Sequence, residues 1–233
     1  MKSTMKICAA LAIVSIVSCS GAEEKVHEPA SPPAPPSAVT APEAETPPIV
    51  QTGPDRDAWQ RPDVIIGMAD PDLRGMVFAD LFAGDGYFTF KLIEAGANVI
   101  AVDNDPANIA ILERRKKELG LGDDRLRIRA VPVGDPGLAP GEADVALLVH
   151  HYAGIKDKPA YFAQMRKGLR YPRPLLLVDW QYRETAIGPP MSERIPVDKL
   201  MQQIADLGYS DVGAHSDKIP FQVIYFATDP MDI

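Results

Sequence analysis

The stretch Asp80-Leu81-Phe82-Ala83-Gly84-Asp85-Gly86-Tyr87-Phe88 decides how this chain is read. It ends an apolar run over residues 76–82, which has the length and continuity of a buried strand. The two glycines then break the pattern, and residues 87–95 are apolar on most sides until Gly96 stops them. Strand, glycine turn and helix follow one another without a spacer. Gly84 and Gly86 let the backbone turn tightly and come close to a ligand. The helix starting at Tyr87 aims its free amide groups and the positive end of its dipole at the same spot.

The same alternation runs outward in both directions. Pro62 suits the first turn of a short helix over 63–68. Downstream, 98–102 reads as a second strand with Asp103 at its carboxyl end, and 106–119 as a helix. That helix sets Ile109, Leu112 and Leu119 on one face and the basic run 114–117 outside; Glu113 and Glu118 balance the run, so it reads as a solvated face. Strands are expected at 126–131, 144–149 and 175–179, the last aliphatic enough to be covered on both faces. Helices are expected at 159–169 and at 197–207, closed by Gly208, before a final strand pair at 211–215 and 222–228. Phe88, Phe90 and Phe162 are assigned to the core. The pattern predicts an α/β fold: a Rossmann-like, doubly wound, mostly parallel sheet of seven strands, the last antiparallel, with helices on both faces.

In such a sheet, ligands bind beyond the carboxyl ends of the strands at the switch point. Asp103 follows Gly86 by seventeen residues, where a carboxylate can accept the hydroxyls of a ribose. The dinucleotide fingerprint fails here, because Thr89 stands at its third glycine position and Asp80 is an acid that it does not require. The residues instead resemble the class I S-adenosylmethionine-dependent methyltransferases, whose first motif is acid-x-Gly-x-Gly-x-Gly and whose second acid ends strand two. Asp80-x-Phe82-x-Gly84-x-Gly86 matches with Phe82 in place of the first glycine, a departure also found in members with an Asp-Leu-Phe-Ala-Gly loop. The segment Asp103-Asn104-Asp105-Pro106 is similar to the stretch that begins at the family's second acid. Gly134-Asp135 resembles the loop that often meets the adenine amino group, and 144–149 resembles the fourth motif. The resemblance covers nearly all of 55–233. It implies S-adenosylmethionine as cofactor, held by Asp80, Phe82, Gly84, Gly86, Asp103, Asn104 and Asp135.

Methyl transfer from a sulfonium is an in-line displacement, so the protein mainly positions a nucleophile, and an oxygen or nitrogen nucleophile also wants a general base. His150 and His151 follow the fourth strand at the edge of the expected site and are the catalytic candidates. Read plainly, one of them closes the strand end and the other is a solvated loop residue. No metal is expected, since adjacent residues rarely point at one ion and no third ligand is evident. The stretch from Asp179 to Arg194, with Trp180, Tyr182, Arg183 and the run Gly188-Pro189-Pro190, is a candidate substrate-side lid.

The chain has 233 residues with 46% hydrophobic and 24% charged residues, which excludes wholesale disorder, collagen and coiled coil. Its net charge of −8 argues against nonspecific nucleic-acid binding, which rests on neutralising phosphates. Both cysteines, Cys8 and Cys19, precede the domain, so the domain has no disulfide framework and no cysteine zinc site. Lys2 and Lys6 followed by eleven mostly apolar residues at 7–17 describe a secretory signal peptide, too short for a comfortable membrane span. Ile16-Val17-Ser18-Cys19 resembles the bacterial lipobox, which implies cleavage after residue 18 and a lipid on Cys19. Such acyl chains anchor an otherwise soluble protein. Residues 19–54 are then the lipidated cysteine and a proline-rich linker that cannot collapse, long enough at ~3.1 Å per residue to hold the domain up to ~100 Å from the lipid.

These readings give three segments: 1–18 a lipoprotein signal peptide, 19–54 the linker, and 55–233 a class I methyltransferase-like domain. The expected function is S-adenosylmethionine-dependent methyl transfer to a small-molecule or envelope substrate, on a protein lipid-anchored in the bacterial cell envelope. Ser20 after the cysteine resembles the pattern that sends lipoproteins of Gram-negative bacteria to the outer membrane. Export removes the domain from any obvious supply of that cofactor. The competing expectation is therefore a non-catalytic, lipid-tethered binding domain of the same fold. The acceptor and the oligomeric state are not specified by the sequence.

Overall fold

The computed structural model describes residues 56–229. The segments read from the sequence as a signal peptide and a linker, with Cys19, lie outside the described residues. Fourteen elements follow in chain order. The helices are α1 (Arg56–Gln60), α2 (Pro62–Gly67), α3 (Tyr87–Glu94), α4 (Pro106–Glu118), α5 (Lys158–Gly168) and α6 (Val197–Asp206), with a 3₁₀ turn at Met191–Glu193. The strands are β1 (Val77–Leu81), β2 (Asn98–Asp103), β3 (Leu126–Ala130), β4 (Val145–Val149), β5 (Leu175–Trp180), β6 (Asp211–His215) and β7 (Gln222–Thr228).

The strands form one sheet in the order β3-β2-β1-β4-β5-β7-β6. Every pair is parallel except those of β7, which runs antiparallel to both β5 and β6. The doubly wound, mostly parallel sheet with a reversed last strand is thus the observed fold. Strand order reverses between β1 and β4, so the loops leaving these two neighbours go opposite ways and open a crevice between them.

Burial explains why the central strands are continuously apolar. β1, β2 and β4 have successive residues buried on both faces. One face carries a core with Leu148, Phe162, Met165, Leu177, Leu200 and Ile204 at its centre, beneath α5 and α6. The other gathers Phe78, Phe88, Phe90, Leu92, Leu112 and Ile224 beneath α3 and α4. The three phenylalanines assigned to the core are at most 5% exposed.

Helix starts follow their caps. The Asp105 side chain accepts from Ala107 N (2.8 Å) with Pro106 next in line, and Asp157 does the same for Ala160 N (3.0 Å) ahead of Pro159. Two expectations about α4 are corrected. Leu119 is not on the buried face; it lies past the last turn and is 57% exposed. Nor is the basic run a uniformly solvated face, because the Arg115 guanidinium stacks on the Phe90 ring at 3.8 Å and Lys116 pairs with Asp123. The end of β7 is fastened by Asp229, buried beside Arg166 (2.6 Å) and Arg173.

Leu148 has no exposed surface in the middle of β4. Leu148→Ala is expected to cost ~3 kcal/mol of unfolding free energy in urea, the usual range for a buried leucine that leaves a cavity. A loss under ~1 kcal/mol would contradict this packing.

Candidate active site

The glycine loop is shaped by three left-handed residues at alternate positions: Phe82 (φ 59°), Gly84 (φ 58°) and Gly86 (φ 80°). Gly86 has a second reason to lack a side chain. A Cβ there would lie 2.5 Å from the Phe90 ring and 2.7 Å from the Leu112 side chain, so the start of α3 packs against α4 through this gap. A Cβ at Gly84 would meet only the Phe82 carbonyl, at 3.9 Å, so that stretch of backbone stays open to the crevice. Phe82 takes a conformation that costs a non-glycine residue roughly 1–3 kcal/mol, and its ring packs flat against His151 (4.8 Å) and Tyr161 (5.9 Å). That packing is what a glycine at this position would forfeit.

Asp103 holds the loop. Its Oδ2 accepts from Gly84 N (2.8 Å), and its Oδ1 from Asp105 N (2.8 Å) and Asn108 Nδ2 (3.2 Å). The sequence gives Asp103 a ligand to hold; the structure adds an architectural duty, tying the end of β1 to the end of β2. Asp103 lines a narrow cleft together with Phe82, Asn104, Gly134, Asp135 and Tyr161. Asp135 is fixed there by an Asx turn to Gly137 N (2.8 Å). Four of the residues assigned to the cofactor, Phe82, Asp103, Asn104 and Asp135, therefore line one cleft.

A second cavity on the β4 side of Phe82 is lined by Asp80, Gly84, Asp85, Tyr87, His150 and His151, with Arg56 of α1 above them. Phe82 borders both, so its ring marks the divide. Asp80 is 3% exposed and accepts from Thr89 Oγ1 at 2.5 Å. Burial pushes its carboxyl up to about 7, against the pull of that hydrogen bond and with help from the negative charge of Asp103.

The two histidines have different surroundings. His150, at φ 60°, stacks on Trp180 at 4.2 Å, and its Nε2 bonds Gln222 Oε1 at 3.1 Å. Burial holds its pKa far below the usual imidazole range, at about 3, so the ring is neutral with its proton on Nε2. Trp180 in turn stacks on Trp59 of α1 at 5.8 Å, and Gln222 Nε2 donates to Trp59 O at 3.3 Å. His150 is thereby a member of a packed stack joining α1, β4, β5 and β7. His151 is an exposed residue whose ring lies on Phe82; shielding lowers its pKa, and Asp103 opposes the shift. Of the two histidines it is the more exposed. Among the described residues no group of three His, Cys, Asp or Glu side chains is arranged to hold a metal ion.

The segment after β5 is a built loop with its arginine turned inward. Arg194, 8% exposed, donates to the carbonyls of Pro189 (2.8 Å), Gln181 (3.0 Å), Arg183 (2.5 Å) and Ile187 (3.3 Å). Trp180 is also buried, which leaves Tyr182, 51% exposed, as the aromatic that this segment presents outward. The expected lid thus has its Trp and one Arg committed to its own structure.

Helix α1 is absent from the sequence-based expectations. Five residues give no helical period, yet they bring Arg56 to the wall of the second cavity and Trp59 onto Trp180. The cue was available in part: Arg56 and Trp59 are a charged and a large aromatic residue immediately after a segment nearly devoid of large side chains.

Residues 78–171 match the family model of the methyltransferase domain. These residues run from β1 past α5 and contain the glycine loop, Asp103, Asp135 and both histidines. The domain has the methyltransferase fold. A SAM-dependent methyltransferase from Aquifex aeolicus superposes with a TM-score of 0.69 at 16% identity, over 76% of this chain and 94% of that one. Magnesium protoporphyrin IX methyltransferase from Synechocystis, solved with bound SAH, gives 0.54 at 17% identity over 73% and 82%. A cyclase, SpnF, gives 0.61 at 13% identity over 73% and 80%, so the methyltransferase fold is shared by a protein named for a different reaction. No curated protein sequence matches the chain.

The Asp80 shift has a measurable sign. Its folded-state pKa of about 7 lies above the usual carboxyl value of about 4, so between these values the fold keeps a proton that the unfolded chain has lost. The contribution of Asp80 to stability is present below pH ~4 and disappears as pH rises to ~7. Asp80→Asn cannot titrate. Its stability relative to the parent should rise across that window and level off outside it, in urea melts at stepped pH. A gap independent of pH would refute the shift.

Proposed function

We propose that this protein is an S-adenosylmethionine-dependent methyltransferase acting on a small-molecule or envelope substrate. The observation that carries the reading is the Gly84 amide held by Asp103 at the switch point, with open backbone on the crevice side. The methyltransferase-domain match over 78–171 spans that loop. The donor set suits the cofactor: Asp103 and Asn104 for a ribose, Asp135 at an adenine edge, and acids Asp80 and Asp85 near an ammonium and a sulfonium. When bound, the cofactor supplies an electrophilic methyl group on a positively charged sulfur.

The chain's own residues have the remaining work. The Gly84 backbone and Asp103 orient the nucleoside, and the Phe82 ring divides its two compartments. His151 is the group available to take a proton from an oxygen or nitrogen acceptor. His150 supports the site through its stack with Trp180 and keeps a neutral ring. The same reading puts the domain in the cell envelope on a lipid at Cys19, supported by the lipobox-like sequence and the proline-rich linker.

Calorimetric titration of the protein with S-adenosylmethionine, S-adenosylhomocysteine and NADH tests the cofactor. Micromolar binding of the first two alone is expected, and Asp103→Ala should weaken it at least ~10-fold, as loss of a charged hydrogen-bonding partner does. Binding of none would turn the reading to the non-catalytic, tethered module. The anchor has its own test: labelled palmitate should enter the wild-type chain in a bacterial host and be absent from Cys19→Ala. Equal labelling of the two would remove the lipoprotein proposal.

A further inference from the structure

Arg183 stands apart from the other arginines of the described residues. Each of the others reaches a carboxylate or a main-chain carbonyl. The Arg183 guanidinium has a single partner, and that partner is neutral: its Nε donates to Gln181 Oε1. Neither Nη1 nor Nη2 has a partner among the described residues. The support behind the side chain is nonetheless firm. Gln181 is 7% exposed, and its Nε2 donates to Ser216 O (2.7 Å) and Gln222 O (3.1 Å), which leaves Oε1 for Arg183. The buried Arg194 holds the carbonyls of Gln181 and Arg183, and Arg183 N donates to Gln181 O at 2.8 Å. Holding a long side chain in this way costs rotamer entropy, and no charge of the described residues uses the fork so held.

The fork borders a cavity of about 330 Å³ lined by Gln181, Tyr182, Arg183, Val197, Ser216 and Val223. Gln181 follows the last residue of β5, so the cavity stands at the carboxyl edge of the parallel strands, where α/β sheets take their ligands. It shares no lining residue with the two cavities at the glycine loop. Its lining selects the occupant. Among the described residues that form it, Arg183 is the one cation and none is an acid, which suits a group with one negative charge. A guanidinium edge with two free nitrogens matches the two oxygens of a carboxylate. Tyr182, 51% exposed, supplies apolar surface for a flat body together with Val197 and Val223. The volume is at the lower end of small-molecule sites, room for about one ring. We propose that this cavity binds a small molecule with one carboxylate on a flat, apolar body, the carboxylate paired with Nη1 and Nη2 of Arg183. The assignment does not rest on the cofactor reading above; it holds for an enzyme and for a non-catalytic module alike.

Benzoate and benzamide, alike in shape and different by one charge, are the probes. They are titrated by ligand-observed NMR into the full-length wild-type chain, Arg183→Gln, Arg183→Lys and Tyr182→Ala. Wild type should bind benzoate in the millimolar range and at least ~5-fold more tightly than benzamide, the scale of one partly exposed ion pair. Arg183→Gln should bind the two alike, with benzamide affinity within about threefold of wild type, and Arg183→Lys should keep part of the preference. Tyr182→Ala should weaken both probes while keeping the preference, since it removes surface rather than charge. No binding of benzoate by wild type, equal affinity for the two probes, a preference that survives in Arg183→Gln, or an equal loss of both probes in that variant overturns the assignment. None of these outcomes depends on whether S-adenosylmethionine binds, so the cofactor reading stands or falls on its own titration.

Discussion

The hydrogen bond from the Gly84 amide to the Asp103 carboxylate is the constraint on which the site depends. Parallel strands place their carboxyl ends side by side but do not fix the loops beyond them. Here the buried carboxylate at the end of β2 takes one amide of the glycine loop and one amide of the turn into α4. Both loops are thereby set by a single side chain, and the packing of Phe90 and Leu112 under Gly86 prevents the loop from sliding along α3. Phe82, Thr89 and Asp80 take their places relative to that fixed turn.

Most of this architecture was legible because the central strands are buried on both faces. Continuous aliphatic runs such as 145–149 and 175–178 have few other structures to adopt, and the observed β6 and β7 agree with the expected residues at both ends. The glycine loop was legible because only glycine combines a positive φ with the close packing under Gly86. The features that escaped the sequence depend on distant partners. Nothing local to His150 says that Trp180, from the next strand, and Gln222, more than seventy residues away, will enclose it. Arg194 likewise reads as a free cation until four carbonyls of its own loop converge on it. Leu119 misled because a helical period carries one residue past the point where the backbone leaves the helix.

Charge in the site is arranged with little exposure to water. Asp80 and Asp103 are each at most 4% exposed, and Arg56 is 9% exposed. Removing solvent strengthens every charge interaction that a ligand makes there, and it also raises the cost of leaving any of these groups unpaired. The neutral His150 ring, stacked on Trp180, keeps its own polar edge occupied by Gln222.

The reversed β7 has a consequence for how the chain reaches its final state. β5 has no neighbour on its outer side until residues 222–228 slot in between it and β6. Any shorter, still-emerging chain therefore holds a highly apolar strand with an open hydrogen-bonding edge, and a β6 with nothing to pair with. The sheet can close only after the last strand is available, through contacts that are far apart in sequence and slow to form.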